Sequence, residues 1–160
     1  MKSLDDLFLH MVKDMYYAER QILKALPKMA RAASAPELKA AFEQHRVETE
    51  GQVERLQKVF EALGKAARGV KCEAIEGLVE EAEEVMQEAE DPKVLDAGLL
   101  AAAQAVEHYE IARYGTLRTW AVDLGKKDVA KLLEETLAEE SACDKLLSKL
   151  AMGQINRKAA

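Results

Sequence analysis

Acidic residues interrupt an apolar stretch in the second half of the chain. The segment DAGLLAAAQAVEHYEIARYG places Glu107, His108 and Glu110 directly after a run of leucine and alanine. Residues three apart on a helix lie one turn apart on the same face. If that face is buried, the carboxylates of Glu107 and Glu110 lose hydration and repel each other unless a cation or a proton compensates. This spacing therefore points to metal binding.

Three other segments with a helical repeat of apolar residues are interrupted in the same way. The polar residues in the apolar stripes are Glu19 in the first segment, His45, Glu48 and Gln52 in the second, and Glu140 and Asp144 in the last. At a rise of about 1.5 Å per residue, folding neighbouring helices back at their turns brings these positions to similar heights. The sequence therefore predicts one acidic cluster near the middle of a helical bundle.

The donor atoms of this cluster indicate which metal it suits. Carboxylates with at most one imidazole favour iron or manganese, whereas closed zinc sites prefer nitrogen and sulfur donors. Because five or six carboxylates carry more charge than one divalent ion offsets, we expect two iron ions, with manganese or zinc as substitutes. The predicted ligands are Glu19, Glu48, Glu107, Glu110 and Glu140, with His45 and Asp144 as additional candidates.

Other polar residues near the predicted cluster have more than one interpretation. Tyr16, Gln52 and Tyr114 are candidates to hydrogen-bond the ligand carboxylates, while the tyrosines fit a packing role equally well. As an alternative to a metal, the acids can reach water or pair with arginines beside the apolar stripes. Those arginines are Arg20, Arg46 and Arg113.

Composition and charge narrow the class of protein. Hydrophobic residues make up 49% of the 160 residues, and three prolines and eight glycines leave few helix breaks, which favours an all-α single domain over residues 1–160. The formal net charge of −6 argues against nucleic-acid binding. No apolar run reaches the roughly 18 residues that span a membrane, and the start MKSLDDLF is acidic, so we expect a cytoplasmic protein. Cys72 and Cys143 form no motif and are expected to be buried thiols.

Apolar repeats and helix-end signals divide the chain into five helices. We expect four long helices over 3–33, 36–63, 92–125 and 126–151, a short helix over 73–90, and a mobile tail beyond residue 151. Short connections make the first two and the last two long helices antiparallel hairpins, which together form a four-helix bundle. Because the short helix lies in a long middle connection, the predicted topology is ferritin-like with one long crossover.

Four stretches of the chain resemble the YciE/YciF-type family of bacterial ferritin-like proteins. They are YYAERQILKALPKMARAAS, HRVETEGQVERL, AAAQAVEHYEIARYGTL and LLEETLAEESACDKLL, within a resemblance that extends over about residues 3–151. The resemblance implies a rubrerythrin-like bundle with a metal site, a homodimer and an association with stress responses. It implies no known reaction.

The match to the general ferritin-like pattern is partial. That pattern has one glutamate on each of two helices and Glu-x-x-His on the other two. Here Gly51 and Cys143 stand three residues after Glu48 and Glu140, where the pattern has histidine. This departure leaves the ligands of a second ion open.

Three functions are compatible with these features, and whether the protein is an enzyme stays open. The first is a di-iron protein acting on peroxide or dioxygen, with Glu48 and Glu140 bridging two ions. A partner protein would supply its electrons, since the chain has no Cys-x-x-Cys redox module. The second is iron storage or DNA protection in a cage, which ranks lower because the chain has no basic arm. The third is a structural or interaction protein in which a metal, if any, only stabilises the bundle.

Overall fold

The computed structural model describes residues 1–160 and contains helices and no strands. The helices are α1 (Leu4–Ala32), α2 (Pro36–Ala62), α3 (Glu73–Glu88), α4 (Pro92–Asp123) and α5 (Lys127–Leu150). The all-α prediction is confirmed, and each helix boundary lies within two residues of the expected one. The segment beyond residue 151, expected to be mobile, is helical in the structure. A π-helical segment, Ala151–Ile155, and one turn of α-helix continue α5, and Ile155 is buried.

Local sequence signals set the helix ends. The Ser3 hydroxyl accepts a hydrogen bond from the backbone of α1, and the Asp91 carboxylate accepts two from the first turn of α4. Prolines occupy the first turn of α2 and of α4, where a missing N–H costs nothing. Gly64 and Gly125 follow the last turns of α2 and α4 with φ of 63° and 72°, a conformation that other residues rarely adopt. The long helices therefore begin and end where the chain's own cap residues place them.

The four long helices form a bundle around one apolar core. Helix α1 packs against α2 and α4, and α5 packs against the same two helices from the opposite side. The buried residue Asp96 of α4 fixes the turn between α1 and α2, since its carboxylate accepts hydrogen bonds from the backbone N–H groups of Ser34 (2.6 Å) and Ala35 (2.9 Å). At the other end of the bundle, Lys126 pairs with Asp5 at 2.8 Å. The end of α1 thus lies beside the start of α4, and the start of α1 beside the end of α4.

The short helix α3 lies outside the bundle, over the groove between α1 and α4. Two surface contacts hold it to α1: Tyr17 donates a hydrogen bond to Glu76 (2.5 Å), and Lys28 pairs with Glu83 (2.7 Å). On its other side α3 approaches α4 at Gly98, where any side chain would meet α3. Helix α3 therefore covers one flank of the core, alongside the second half of α1 and the first half of α4.

None of the helices combines the length and the apolar character that crossing a lipid bilayer requires.

Candidate metal centre

Five ionisable side chains meet in the core, and every long helix contributes at least one. They are Glu19 from α1, His45 from α2, Glu107 and Glu110 from α4, and Glu140 from α5, and none is more than 3% exposed. Helical periodicity explains their burial, since each continues the apolar stripe of its own helix. The core of the bundle thus contains four carboxyl groups and one imidazole.

The ligand atoms of this cluster are close enough to share a cation. One donor atom each from His45, Glu107, Glu110 and Glu140 lie within 4.8 Å of one another. His45 Nδ1 lies 3.0 Å from Glu107 Oε1, and His45 Nε2 lies 3.6 Å from Glu140 Oε2, which is too long for a hydrogen bond. Glu19 extends the cluster towards α1. The set has the composition and spacing of a carboxylate–histidine metal site.

Most of these donor atoms have no hydrogen-bond partner. The unpaired buried atoms are Glu19 Oε2, His45 Nε2, Glu107 Oε2, both oxygens of Glu110 and both oxygens of Glu140. Buried polar atoms without partners are rare in folded proteins, and each costs about 1–3 kcal/mol. A group of them facing one another in a core is typical of a site that a cation completes.

No arginine or lysine neutralises the cluster. Of the arginines beside the apolar stripes, Arg20 lies over the ring of Tyr16 at 5.8 Å and Arg113 over the ring of Tyr109 at 5.2 Å. Arg46 pairs with two glutamates of its own helix at the surface. The salt-bridge alternative that the sequence left open therefore has no partner residue in the structure.

Protons and one ion pair balance the charge of the metal-free cluster. Burial is the main reason that the pKa values of Glu19 and Glu107 rise to about 8, and Glu140 raises both further. Burial also raises the pKa of Glu110 well above its usual range. Burial opposes charge on Glu140 and on His45 too, but their interactions with the neighbouring groups outweigh it, lowering the pKa of Glu140 and raising that of His45. At neutral pH one carboxylate therefore faces one imidazolium, and three carboxyls hold protons.

The structure corrects the placement of Glu48 on α2. Its side chain is half-buried and accepts a hydrogen bond from Gln44 at 2.8 Å, outside the cluster. Thr49, not Glu48, follows His45 on the inner face, where it is fully buried and its hydroxyl donates to the His45 carbonyl. The reason is that Glu48 is turned away from the centre of the stripe that Phe42, His45 and Thr49 define.

Asp144 on α5 also lies outside the cluster. Its carboxylate is half-buried and lies 3.1 Å from His108 Nε2, in the seam between α4 and α5. Cys143 takes the inner position instead, and its thiol donates a hydrogen bond to Glu107 Oε1 at 3.3 Å. Burial is the main reason that the pKa of Cys143 rises to about 11.

The sequence predicted Cys143 as a buried thiol, which it is, but did not connect it with the cluster. The signal that could have done so is its spacing, three residues after Glu140, where the ferritin-like pattern places a histidine. His45, Glu107 and Cys143 form a second close group of donor atoms that shares two members with the first.

The two tyrosines singled out in the sequence differ in role. The buried hydroxyl of Tyr114 donates a hydrogen bond to Glu19 Oε1, so this residue orients a member of the cluster. Tyr16 points elsewhere: its hydroxyl accepts from Gln57, and its ring packs edge-on against Phe60 at 5.5 Å. Only Tyr114 therefore contacts the carboxylates.

Gln52 lies beside the cluster and links it to a surface network. Its amide nitrogen donates to Glu139 at 3.1 Å, while its amide oxygen is buried and unpaired. Arg55 binds the same Glu139 carboxylate through two nitrogens, at 3.0 and 2.8 Å, and donates to Thr136. Sequence patterns did not indicate Arg55, because its position is half-exposed and resembles an ordinary surface charge. This network anchors α2 to α5 next to Glu140.

Comparisons with known proteins place the chain among close relatives. Residues 3–160 match the family described as "Domain of unknown function (DUF892)". Protein YciF of Escherichia coli (strain K12) is 51% identical over 160 residues, covering 99% of this chain and 96% of YciF. The crystal structure of that E. coli stress protein matches with a TM-score of 0.93 at 50% identity, covering 98% of this chain and 99% of the other.

A second solved structure is equally similar in sequence. YcfI of Rhodopseudomonas palustris, proposed to be a structural protein, has a TM-score of 0.91 at 50% identity, covering 92% of this chain and 94% of its own. A protein of Xanthomonas campestris shares the fold at a TM-score of 0.74 and 21% identity. Because the family match and the relatives at half identity cover nearly all residues, the resemblance to YciE/YciF-type proteins is confirmed, and the chain belongs to the DUF892 family.

Proposed function

We propose that this protein is a ferritin-like carboxylate protein that binds two divalent ions, iron in the first place and manganese or zinc as substitutes. The observation that carries the proposal is the group of seven unpaired donor atoms on Glu19, His45, Glu107, Glu110 and Glu140. Four carboxylates and a neutral imidazole balance the charge of two divalent ions, whereas one ion leaves two negative charges buried. Oxygen donors with a single nitrogen suit iron and manganese.

The order of the helices supports the ferritin-like part of the proposal. Helix α1 runs antiparallel to α2 across their short turn, and its two ends lie beside the opposite ends of α4. Helices α2 and α4 then run in the same direction, which supports the proposal that the connection through α3 is a ferritin-like long crossover.

The placement of the residues suggests their roles. His45, Glu107, Glu110 and Glu140 would hold one ion as a compact set, and Glu19 would extend the site to a second. Glu140 interacts electrostatically with each of the other three glutamates, so it would be the central member of the set that holds the metal. Glu48, which was expected to bridge two ions, lies outside this set.

Bound iron would supply oxidation–reduction chemistry on peroxide or dioxygen. The protein itself would hold the ligands, orient Glu19 through Tyr114, and keep bulk water away from the buried cluster. The chain has no second redox module, so turnover would need electrons from a partner protein. The reduced protein should therefore consume peroxide once and stop until a reductant is added. Sustained consumption without a reductant would contradict this, unless the activity is a disproportionation of peroxide.

The relatives support a role in the bacterial stress response, since one of them is a stress protein. A second candidate function is structural, with the metal only stabilising the bundle. It is supported by the charge balance that protons give the metal-free cluster and by the suggested structural role of YcfI. Metal content separates the two candidates.

The test compares metal binding by wild type, Glu110→Gln and Glu48→Gln. Each protein is purified without chelator for metal analysis, then depleted and titrated anaerobically with ferrous iron. We expect two irons per chain for wild type and Glu48→Gln, and the loss of at least one for Glu110→Gln. A wild-type protein that binds no iron would overturn the proposal, and so would an equal loss in both variants. Molecular mass in the same run tests the expected homodimer against a cage of many chains.

A further inference from the structure

A small apolar pocket leads from the flank of the bundle to the candidate metal centre. It lies between α1, α3 and α4, and His45 and Glu107 contribute its only polar side chains. The other lining side chains are apolar and include Val79 and Ala82 of α3 and Ala103 and Val106 of α4. Helix α3 thus forms the outer wall of a pocket that ends at two members of the cluster.

The size of the pocket restricts what it can hold. Its volume of about 20 Å³ leaves room for about one molecule the size of water. A larger organic substrate does not fit without movement of the helices. The occupant is therefore a molecule of one or two non-hydrogen atoms.

The chemistry of the lining restricts the occupant further. A buried water needs two to four polar partners, and hydrogen peroxide has two hydroxyl groups to satisfy. Here His45 Nδ1 lies 3.0 Å from Glu107 Oε1, and the unpaired His45 Nε2 faces Glu140 Oε2 at 3.6 Å. Glu107 Oε2 is therefore the one unpaired atom of these two residues that faces no other member of the cluster in this way. An apolar diatomic molecule loses no hydrogen bonds in such a site. Cavities lined by apolar side chains stay dry and can bind an apolar gas such as xenon.

We propose that this pocket is a binding site for dioxygen, which it holds next to His45 and Glu107 at one side of the cluster. This inference rests on the proposed function, because dioxygen in the pocket has a role only if the cluster binds iron. It identifies dioxygen, not peroxide, as the molecule that reaches the metal centre from this flank. The binding itself depends only on the pocket and can be measured without metal.

The first experiment uses the metal-free protein with ¹³C-labelled methyl groups. NMR spectra under oxygen pressure are compared with spectra under the same pressure of argon, because dissolved dioxygen is paramagnetic and broadens nearby methyl signals. We expect stronger broadening at Val79 and Val106 in the pocket than at Val53 and Leu132, which are half-buried like them but lie outside the pocket. Equal broadening at both sets would overturn the proposal.

Filling the pocket provides the matched test. Ala82→Leu adds bulk from the α3 wall, and Ala74→Leu makes the same change at an exposed position of the same helix. We expect Ala82→Leu to abolish the excess broadening at Val106 and Ala74→Leu to leave it unchanged. Ala103→Val serves as a second filling variant if Ala82→Leu does not fold. Excess broadening that persists in a folded filling variant would overturn the assignment.

A final measurement separates this inference from the proposed function. With ferrous iron bound, Ala82→Leu should slow oxidation by dioxygen and leave oxidation by peroxide and the iron content unchanged. If the protein binds no iron, the proposed function fails while the methyl broadening still decides whether the pocket takes dioxygen. If iron binds and the pocket methyls show no excess broadening, the pocket inference fails alone.

Discussion

Replacing Glu19 with glutamine should make the metal-free protein more stable. Glu19 is fully buried, one of its oxygens accepts a hydrogen bond from Tyr114, and the other has no partner. Glutamine has nearly the same shape, keeps an oxygen that can accept from Tyr114, and cannot become charged. The substitution therefore removes the free-energy cost of burying an ionisable carboxyl group and changes the packing little.

The size of the effect follows from the pKa of Glu19, which burial raises from 4.5 to about 8. The folded protein holds a proton that the unfolded chain releases near its ordinary pKa. The free energy of unfolding therefore falls as the pH rises from about 4.5 to about 8, by about 1.4 kcal/mol for each pH unit at most. At pH 7 the loss approaches about 3 kcal/mol, part of which is shared with the neighbouring carboxyls.

Urea unfolding in chelator measures this difference directly. We expect Glu19→Gln to exceed wild type by about 1–3 kcal/mol at pH 7, with a difference that grows between pH 5 and pH 8. In ferrous iron at a thousand times its dissociation constant, without oxygen, the order should reverse, because each bound ion then adds about 4.1 kcal/mol. Glu48→Gln is the matched control and should stay within about 0.5 kcal/mol of wild type in both conditions.

Three results would contradict parts of this reasoning. If Glu19→Gln destabilised the protein in chelator at pH 7, the carboxylate would be held by a partner that the structure does not contain. If the difference from wild type did not change with pH, Glu19 would have the same pKa in the folded and unfolded states. An equal shift in chelator and in iron would remove the support that Glu19 gives to a metal site.

Four further predictions test other contacts, the first three by urea unfolding in chelator. Asp96→Ala should lower the free energy of unfolding by about 2–4 kcal/mol, since two N–H groups of the α1–α2 turn lose their acceptor. Gly98→Ala should lower it by about 1–3 kcal/mol, because the new methyl group would lie 2.5 Å from Val85 Cγ1. Tyr114→Phe should cost about 1–3 kcal/mol, because it leaves Glu19 without a donor. Loading two ferrous ions at neutral pH should release about four protons, measured with an indicator in weakly buffered solution. If one of the three variants were as stable as wild type, the contact that it removes would not stabilise the fold. Iron uptake without proton release would contradict the protonated state of the metal-free cluster.

The sequence predicted the helices well because their ends depend on local chemistry. Ser3, Asp91, Gly64 and Gly125 act through caps and turns that involve only neighbouring residues. The contact of Asp96 with the α1–α2 turn was not predicted, since it joins positions about sixty residues apart. The path of the chain beyond α5 depends in the same way on packing against α4.

The candidate site was predicted in height but not in detail. Counting residues from the turns placed acids of four helices at one level, and the structure brings Glu19, Glu107, Glu110 and Glu140 together there. Choosing between neighbours on a helix needs the exact direction of its inner face. That direction depends on packing against other helices. A repeat of apolar residues defines the direction of the inner face only to about one position in each turn.

The same limit explains the two misplaced candidates. Glu48 lies about 60° around α2 from His45, and Asp144 lies about 100° around α5 from Cys143. A rotation of each helix by such an angle would put the predicted residue in the inner position. In the structure Asp144 is beside His108 in the α4–α5 seam, and this contact favours the observed rotation. No sequence pattern in one helix carries that information, because the deciding partner lies on another.

Protonation of the metal-free cluster links its stability to its capacity for metal. Glu19, Glu107 and Glu110 hold protons at neutral pH and His45 is an imidazolium, while Glu140 carries the one negative charge. Two divalent ions would bring four positive charges in exchange for four protons, so the buried charge would not change. Rising pH removes these protons, which destabilises the metal-free fold and strengthens metal binding at the same time. The dependence of the fold on metal should therefore be greatest at alkaline pH and vanish in acid, which is opposite to the behaviour of acids held by arginine or lysine.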